Sequence, residues 1–231
     1  MRLSKRLQKI ADFVPNNSIT ADIGTDHGYI PRYLVEYKIS KLVIASDVSQ
    51  GSLDKTISYI DELGLNNKII PRLGDGLEVL KPYEVDTVVI AGMGGLLIRD
   101  ILEKNKGITN SITHFVLQPM VASKELRKYL LNNGFMILDE ELVFEDEKFY
   151  EIIYAKKGKD LVEKDIYYEI SPILIKKKHP ILAQFLKAKN YSLENILSGL
   201  EGKDTEKSKE KFNELTDLVE KYKEVLNTIE S

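Results

Sequence analysis

Between residues 19 and 156 the chain alternates short apolar runs with longer amphipathic stretches. The runs at 19–23, 42–46, 68–73, 85–90, 114–118, 135–144 and 150–156 predict strands. Between the first five lie segments with apolar residues at helical spacing, at 29–37, 51–63, 96–105 and 123–133. Nothing obvious covers the stretch from Leu73 to Val85. Strands separated by helix-length segments need right-handed crossovers, and these build a parallel sheet. The last two runs are separated only by Glu145-Asp146-Glu147-Lys148. They predict a hairpin, an antiparallel element at the end of a mostly parallel sheet.

The pattern changes after Lys156-Lys157-Gly158-Lys159. Residues 181–200 read as a helix with Leu182, Leu186, Leu193, Leu197 and Leu200 near one face. A polar connector at 201–208 contains Gly202. Phe212, Leu215, Val219, Tyr222, Leu226 and Ile229 then follow a 3-4-3-4-3 spacing, a heptad seam flanked by Lys and Glu. Two such helices joined by a short loop predict an antiparallel coiled-coil hairpin. Periodicity does not distinguish a packing appendage or dimer arm from a substrate-binding arm. The chain thus divides into an α/β domain at 1–158 and a helical domain at 159–231.

Composition narrows the chemistry. The chain has 231 residues and no cysteine. It is long enough to bury a core without staples. Disulfide frameworks, Cys-ligated zinc, iron–sulfur clusters and cysteine nucleophiles are excluded. Three histidines leave little room for a His-rich metal site, and no metal is expected. The net charge of −3 is not the bulk signature of a nucleic-acid binder, so any such role needs a local patch. No segment approaches the roughly 18–20 apolar residues of a membrane span. The start, Met1-Arg2-Leu3-Ser4-Lys5-Arg6-Leu7-Gln8-Lys9-Ile10, interleaves charge with apolar residues at helical spacing and lacks the block of a secretory signal. A cytoplasmic protein with its start intact is expected.

Five sites at predicted strand ends carry candidate chemistry. The first is Asp22-Ile23-Gly24-Thr25-Asp26-His27-Gly28. Ligands of doubly wound sheets bind outside the carboxyl ends of the strands. Gly24 allows a tight turn and Gly28 lets the next helix pack down. The spacing is not the Gly-x-Gly-x-x-Gly of a pyrophosphate cradle. Asp22 and Asp26 suit a positively charged ligand group instead, such as an ammonium or a sulfonium. The second is Asp47, which either accepts hydrogen bonds from a ribose diol or caps the following helix. The third is Asp75 in Gly74-Asp75-Gly76, either an acceptor for an adenine amino group or an Asx turn. The fourth is Gly92-Met93-Gly94-Gly95, either a floor of exposed backbone groups or a flexible turn. The fifth is Gln118-Pro119, either a contact to a base edge or a strand end stopped by proline. An acidic glycine loop, a ribose Asp and an adenine-side Asp in order after strands one to three are the layout of a class I (Rossmann-like) S-adenosylmethionine methyltransferase; the alternative, a nicotinamide-dependent enzyme, lacks its Gly-x-Gly-x-x-Gly fingerprint here.

With these residues assembled, the chain closely resembles the bacterial tRNA (adenine(22)-N1)-methyltransferase family, TrmK. The matching pieces are Leu3-Ser4-Lys5-Arg6-Leu7, Phe13-Val14-Pro15, the stretch from Ala21 to Pro31, Ala45-Ser46-Asp47-Val48, Gly74-Asp75-Gly76-Leu77, Ile90-Ala91-Gly92-Met93-Gly94-Gly95 and Leu117-Gln118-Pro119. The resemblance covers the first domain well and the helical arm loosely. It implies methyl transfer from S-adenosylmethionine to N1 of adenine 22 of tRNA. Cofactor binding then falls to Asp22, Gly24, Thr25, Asp26, Gly28, Asp47, Val48, Asp75, Gly76, Ala91 and Gly92. The acceptor side falls to Asp26, His27, Met93, Gly94, Gly95 and Gln118. Two basic clusters are candidates for RNA contact, Arg2, Lys5, Arg6 and Lys9 near the start and Lys176, Lys177 and Lys178 before the arm. The competing readings are a methyltransferase for another RNA position or a small molecule, and a cofactor-binding regulatory module.

Overall fold

The computed structural model describes residues 1–160, 162–202 and 204–230. They form two compact units, Met1–Glu169 and Ile170–Ser231. The first unit is built on one seven-stranded sheet. Its strands are β1 (Ser18–Ile23), β2 (Ser40–Asp47), β3 (Ile69–Leu73), β4 (Thr87–Met93), β5 (His114–Pro119), β6 (Phe135–Glu145) and β7 (Lys148–Lys157). Its helices are α1 (Lys5–Asp12), α2 (Tyr29–Glu36), α3 (Gln50–Glu62), α4 (Gly95–Lys104), α5 (Lys106–Thr109), α6 (Ser123–Asn132) and α7 (Ile166–Glu169). A single 3-10 turn at Gly76–Val79 crosses the stretch between β3 and β4 that carries no helical pattern.

The strand order is β3-β2-β1-β4-β5-β7-β6. The first five pair in parallel, and β7 inserts antiparallel between β5 and β6. This is the mixed Rossmann-like sheet that the alternating pattern predicts. Strands covered on both faces need apolar residues at odd and even positions alike. In β4 and β5, Val89 and Val116 join a core with Ile10 of α1 and Leu34 of α2. Their neighbours Val88, Ile90, Phe115 and Leu117 are equally buried.

The β6–β7 connection is a two-residue hairpin. Glu145 pairs with Lys148, and Asp146 and Glu147 both take positive φ, 48° and 59°. A type I′ turn demands that conformation, because its twist matches the strands. Beside the hairpin, Arg127 of α6 is 1% exposed. Its guanidinium donates to Glu140 at 2.7–3.2 Å and to Glu151, and its Nη1 also reaches the Tyr168 carbonyl at 3.3 Å. Burial draws the Arg127 pKa down, but the two carboxylates more than reverse this and hold it above its usual value. The bond to Tyr168 also ties α7 to the sheet, so the first unit extends past the change of pattern at residue 158.

The second unit contains α8 (Pro172–Lys176), α9 (Leu182–Leu200) and α10 (Glu206–Glu230). Lys187 near the start of α9 pairs with Glu230 at the end of α10 at 2.6 Å, and Glu194 pairs with Lys223 at 3.0 Å. The two helices therefore run antiparallel. Leu215, Val219, Tyr222 and Leu226, from the predicted seam of α10, are buried. The predicted connector at 201–208 includes Lys203, which lies outside the described residues. Among the described residues no helix is long and apolar enough to cross a membrane.

Candidate active site

A cleft of about 410 Å³ opens at the carboxyl ends of β1 and β4. It lies where the strand order reverses direction, the switch point at which open α/β sheets bind ligands. Asp22, Gly24 and Asp26 come from the end of β1, Tyr29 and Ile30 from the start of α2, and Ala91 and Gly92 from β4. Met120 follows β5, Arg6 and Leu7 come from α1, and Tyr150 comes from β7.

Asp22 is the electrostatic centre of the cleft. It is 5% exposed, and among the described residues no Lys or Arg pairs with it. Burial raises its pKa from the usual 3.8 to about 6, with the Thr25 hydroxyl drawing it back and the Asp47 charge adding to the rise. A buried carboxylate normally has a cationic partner, because bare burial is costly. Asp22 has the cleft in that place, so the site fits a ligand that brings its own positive group. The start of α2 adds a complementary feature. Its N-cap is Gly28 at φ 67°, without a side-chain cap, which leaves the first helical N–H groups open to a ligand carboxylate.

The turn between β1 and α2 holds the other predicted residues. The Gly24 and Thr25 amides both donate to the Ser46 carbonyl at 2.8 Å, which pins the turn to β2. Thr25 is buried, whereas the Asp26 side chain is 72% exposed at the cleft. His27 adopts φ 60°, stacks on Tyr29 and places Nε2 3.3 Å from Asp26.

The glycine segment after β4 is held from two sides. Gly92 has φ 78°, open to glycine at little cost. A Cβ on Gly95 would overlap the Ala122 carbonyl, and the Gly95 amide donates to the Val121 carbonyl at 2.8 Å. The loops after β4 and β5 are thereby locked together. Gln118 sits completely buried between them. Its Oε1 accepts from Arg6 Nη1 at 2.7 Å and from the Gly92 amide at 3.2 Å, and its Nε2 donates to the Pro119 carbonyl at 2.9 Å. The carboxamide faces protein groups rather than an open base-binding surface.

Asp47 and Asp75 stand at the ends of β2 and β3, outside the lining of the cleft. Asp47 accepts from the Ser49 amide at 2.7 Å, and Val48 beside it is 73% exposed. Asp75 pairs with Lys104 at 2.9 Å, and Gly76 opens the 3-10 turn. Of the first basic cluster, Arg2 is exposed and Lys9 lies 3.7 Å from Glu141. Lys5 is exposed, while Arg6 turns into the cleft over the Tyr150 ring. Lys176, Lys177 and Lys178 are exposed at the end of α8, in the second unit. Among the described residues no cluster of three or more His, Asp or Glu could hold a metal.

Sequence reasoning missed Leu7, Tyr29, Ile30, Met120 and Tyr150 as lining residues. Tyr29 and Ile30 follow the glycine turn directly and were within reach of the motif argument. Tyr150 lies on the antiparallel strand and carries no local signal.

A family model described as tRNA (adenine(22)-N(1))-methyltransferase matches residues 20–224. The chain is 36% identical to the tRNA (adenine(22)-N(1))-methyltransferase of Bacillus subtilis, over 98% of both chains. It superposes with a TM-score of 0.89 on a Streptococcus pneumoniae structure described as a putative tRNA (m1A22) methyltransferase in complex with S-adenosyl-L-methionine. That match is 33% identical and covers 97% of this chain and all of that one. The M. capricolum TrmK structure with S-adenosyl-homocysteine gives 0.86 at 27% identity, over 99% of this chain and 100% of that one. The alternating sheet, the acidic cleft at its switch point and these matches agree, and the chain belongs to the tRNA (adenine(22)-N(1))-methyltransferase family.

Proposed function

We propose that this protein methylates N1 of adenine 22 in tRNA, using S-adenosylmethionine held in the cleft between β1 and β4. The observation that carries the reading is Asp22, a buried carboxylate lining the cleft that forms no ion pair among the described residues. It would hold the ammonium of the cofactor, with the cofactor carboxylate at the open start of α2. Asp47 would take the ribose hydroxyls. Asp75 would take the adenine amino group once Lys104, an exposed partner, gives way. When bound, S-adenosylmethionine supplies an electrophilic methyl group.

N1 of neutral adenine carries an in-plane lone pair and attacks without prior deprotonation. A dedicated general base is therefore not required. The protein's task is alignment, which can lower a barrier by about 7–11 kcal/mol. The backbone from Gly92 to Gly95 forms a floor for an adenine extruded from the RNA stack, at a cost of a few kcal/mol. Asp26 would accept a hydrogen bond from the adenine amino group or offset the charge that develops on the ring. His27, stacked on Tyr29, would orient Asp26.

RNA contact is assigned to the exposed Arg2, Lys5 and Lys9 and to Lys176, Lys177 and Lys178. The second unit is read as a coiled-coil hairpin, supported by its buried seam and its two cross-helix ion pairs. A cytoplasmic location follows from a tRNA substrate. The test is transfer of labelled methyl from S-adenosylmethionine to two transcripts that differ only in adenine or guanine at position 22. Labelling of the adenine transcript alone is expected, and equal labelling of both would overturn the assigned position.

A further inference from the structure

We propose that Arg6 is a positioning residue that sets the acceptor floor through Gln118, rather than a phosphate contact. The inference rests on the functional reading above and assigns a task to a residue that its place in the sequence would give to RNA binding.

The geometry is specific. Arg6 and Gln118 are 112 residues apart, yet Nη1 lies 2.7 Å from Oε1. The same oxygen accepts the Gly92 amide at 3.2 Å, while Nε2 donates to the Pro119 carbonyl. Arginine has donors only. With an arginine N–H and a backbone N–H on one side and a carbonyl on the other, the carboxamide has one favourable orientation. Flipping it would set donor against donor and acceptor against acceptor. Gln118 is fully buried, and a buried donor or acceptor left unmatched costs more than the bond itself contributes.

Gly92 begins the floor and has a left-handed backbone, so its position depends on what holds its amide. Gln118 holds it, and Arg6 orients Gln118. Arg6 is itself oriented by Tyr150, with the guanidinium carbon 5.2 Å from the ring centroid. Its Nη1 lies 3.8 Å from where a Gly92 Cβ would stand, so the guanidinium packs against the floor it positions. Lysine has no planar fork to stack on Tyr150 while meeting Gln118, so Arg6→Lys is not a conservative change here.

The experiment is steady-state methylation of the adenine-22 transcript by wild type, Arg6→Lys, Arg6→Ala, Gln118→Ala and the Arg6→Ala/Gln118→Ala double variant. The salt dependence of tRNA binding is measured in parallel. A misplaced reacting geometry costs up to about 100-fold in rate. The expected result is a kcat loss on the order of 10–100-fold for Arg6→Ala, with KM for tRNA and the salt slope unchanged. The double variant should be no slower than the worse single one, because both remove the same link. Arg6→Lys keeps the charge and should lose kcat as well, which separates positioning from electrostatics and guards against misfolding of the alanine variants.

A raised KM with kcat retained, and a salt slope lowered by about one phosphate contact, would overturn the inference. So would losses that multiply in the double variant. No labelling of the adenine transcript by the wild-type protein would overturn the functional reading and the inference with it. Labelling by wild type with any of the preceding results overturns the inference alone.

Discussion

At the carboxyl end of β1, Asp22 is buried with no ion pair among the described residues; at the far edge of the same sheet, Glu140 and Glu151 are buried around Arg127. The second arrangement is self-contained. Its donors and acceptors come from α6, β6 and β7, and they fasten the antiparallel hairpin and α7 to the domain. The first is incomplete by the same standard, and in the proposed function its counter-charge comes from the bound cofactor. Burial alone therefore does not mark function. A buried carboxylate without an ion pair points to a ligand site, since a cationic ligand would recover the cost of its desolvation. The two regions differ in backbone as well. In the hairpin, positive φ is confined to the two turn residues Asp146 and Glu147, while the cleft is edged by several residues at positive φ, among them Gly24, His27, Gly28 and Gly92.

Removing the cation from the hairpin end should turn it into an uncompensated site and give the largest stability change. Arg127→Met is expected to lower the unfolding free energy by about 3–5 kcal/mol, read by chemical denaturation. A loss under 1 kcal/mol would mean that the cluster is not the fastening described above.

Neutralising the cleft should act in the opposite direction on stability. The folded pKa of Asp22 is about 6, above its usual 3.8, so the folded state favours the proton. Its contribution is most favourable at low pH and is lost as pH rises through about 6. At pH 8 the charged group costs on the order of 3 kcal/mol. Asp22→Asn should therefore stabilise the free protein at pH 8 but not at pH 4, while abolishing cofactor binding. Thermal unfolding at both pH values and calorimetric titration with S-adenosylmethionine check this. In the wild type, cofactor affinity should fall as pH drops below about 6, where Asp22 loses its charge.

The smallest effects test the lock between the loops. Gly95→Ala forces a Cβ against the Ala122 carbonyl and should cost about 1–3 kcal/mol together with most of the activity. Gly94→Ala meets only Val121 Cγ2 at 3.7 Å and should change stability by less than about 0.5 kcal/mol. Any activity lost in Gly94→Ala then reports on the acceptor surface itself. Equal destabilisation by the two substitutions would remove the lock as an explanation for the glycine run.

The strands, the longer helices and the acidic glycine turn are readable from the chain because they depend on local patterns, whereas the short helical turns between them are not. Apolar runs of strand length, separated by helical spacing, leave few ways to cover both faces of a sheet. The turn after β1 needs Gly24 and Gly28 at positive φ whatever lies elsewhere in the chain. The reading was weaker where one residue type serves two ends. Arg6 has the spacing of a solvated basic helix face, yet α1 packs beside β5 and delivers it to Gln118. Asp47 and Asp75 look alike in sequence to Asp22, but they remain near solvent, Asp47 held by the Ser49 amide and Asp75 paired with Lys104.

The α/β alternation, the antiparallel end, the helical character of the last third and the acids and glycines gathered at the strand ends all follow from local pattern along the chain. Which buried carboxylate stands alone and which is neutralised follows from three-dimensional packing. Hydrophobic periodicity is written over a few residues, so it survives without knowledge of the rest of the chain. Charge compensation depends on which strands become neighbours and in what register. Arg127 of α6 meets Glu140 and Glu151 across the β6–β7 pair, and Asp22 faces the cleft at the change in strand order between β1 and β4.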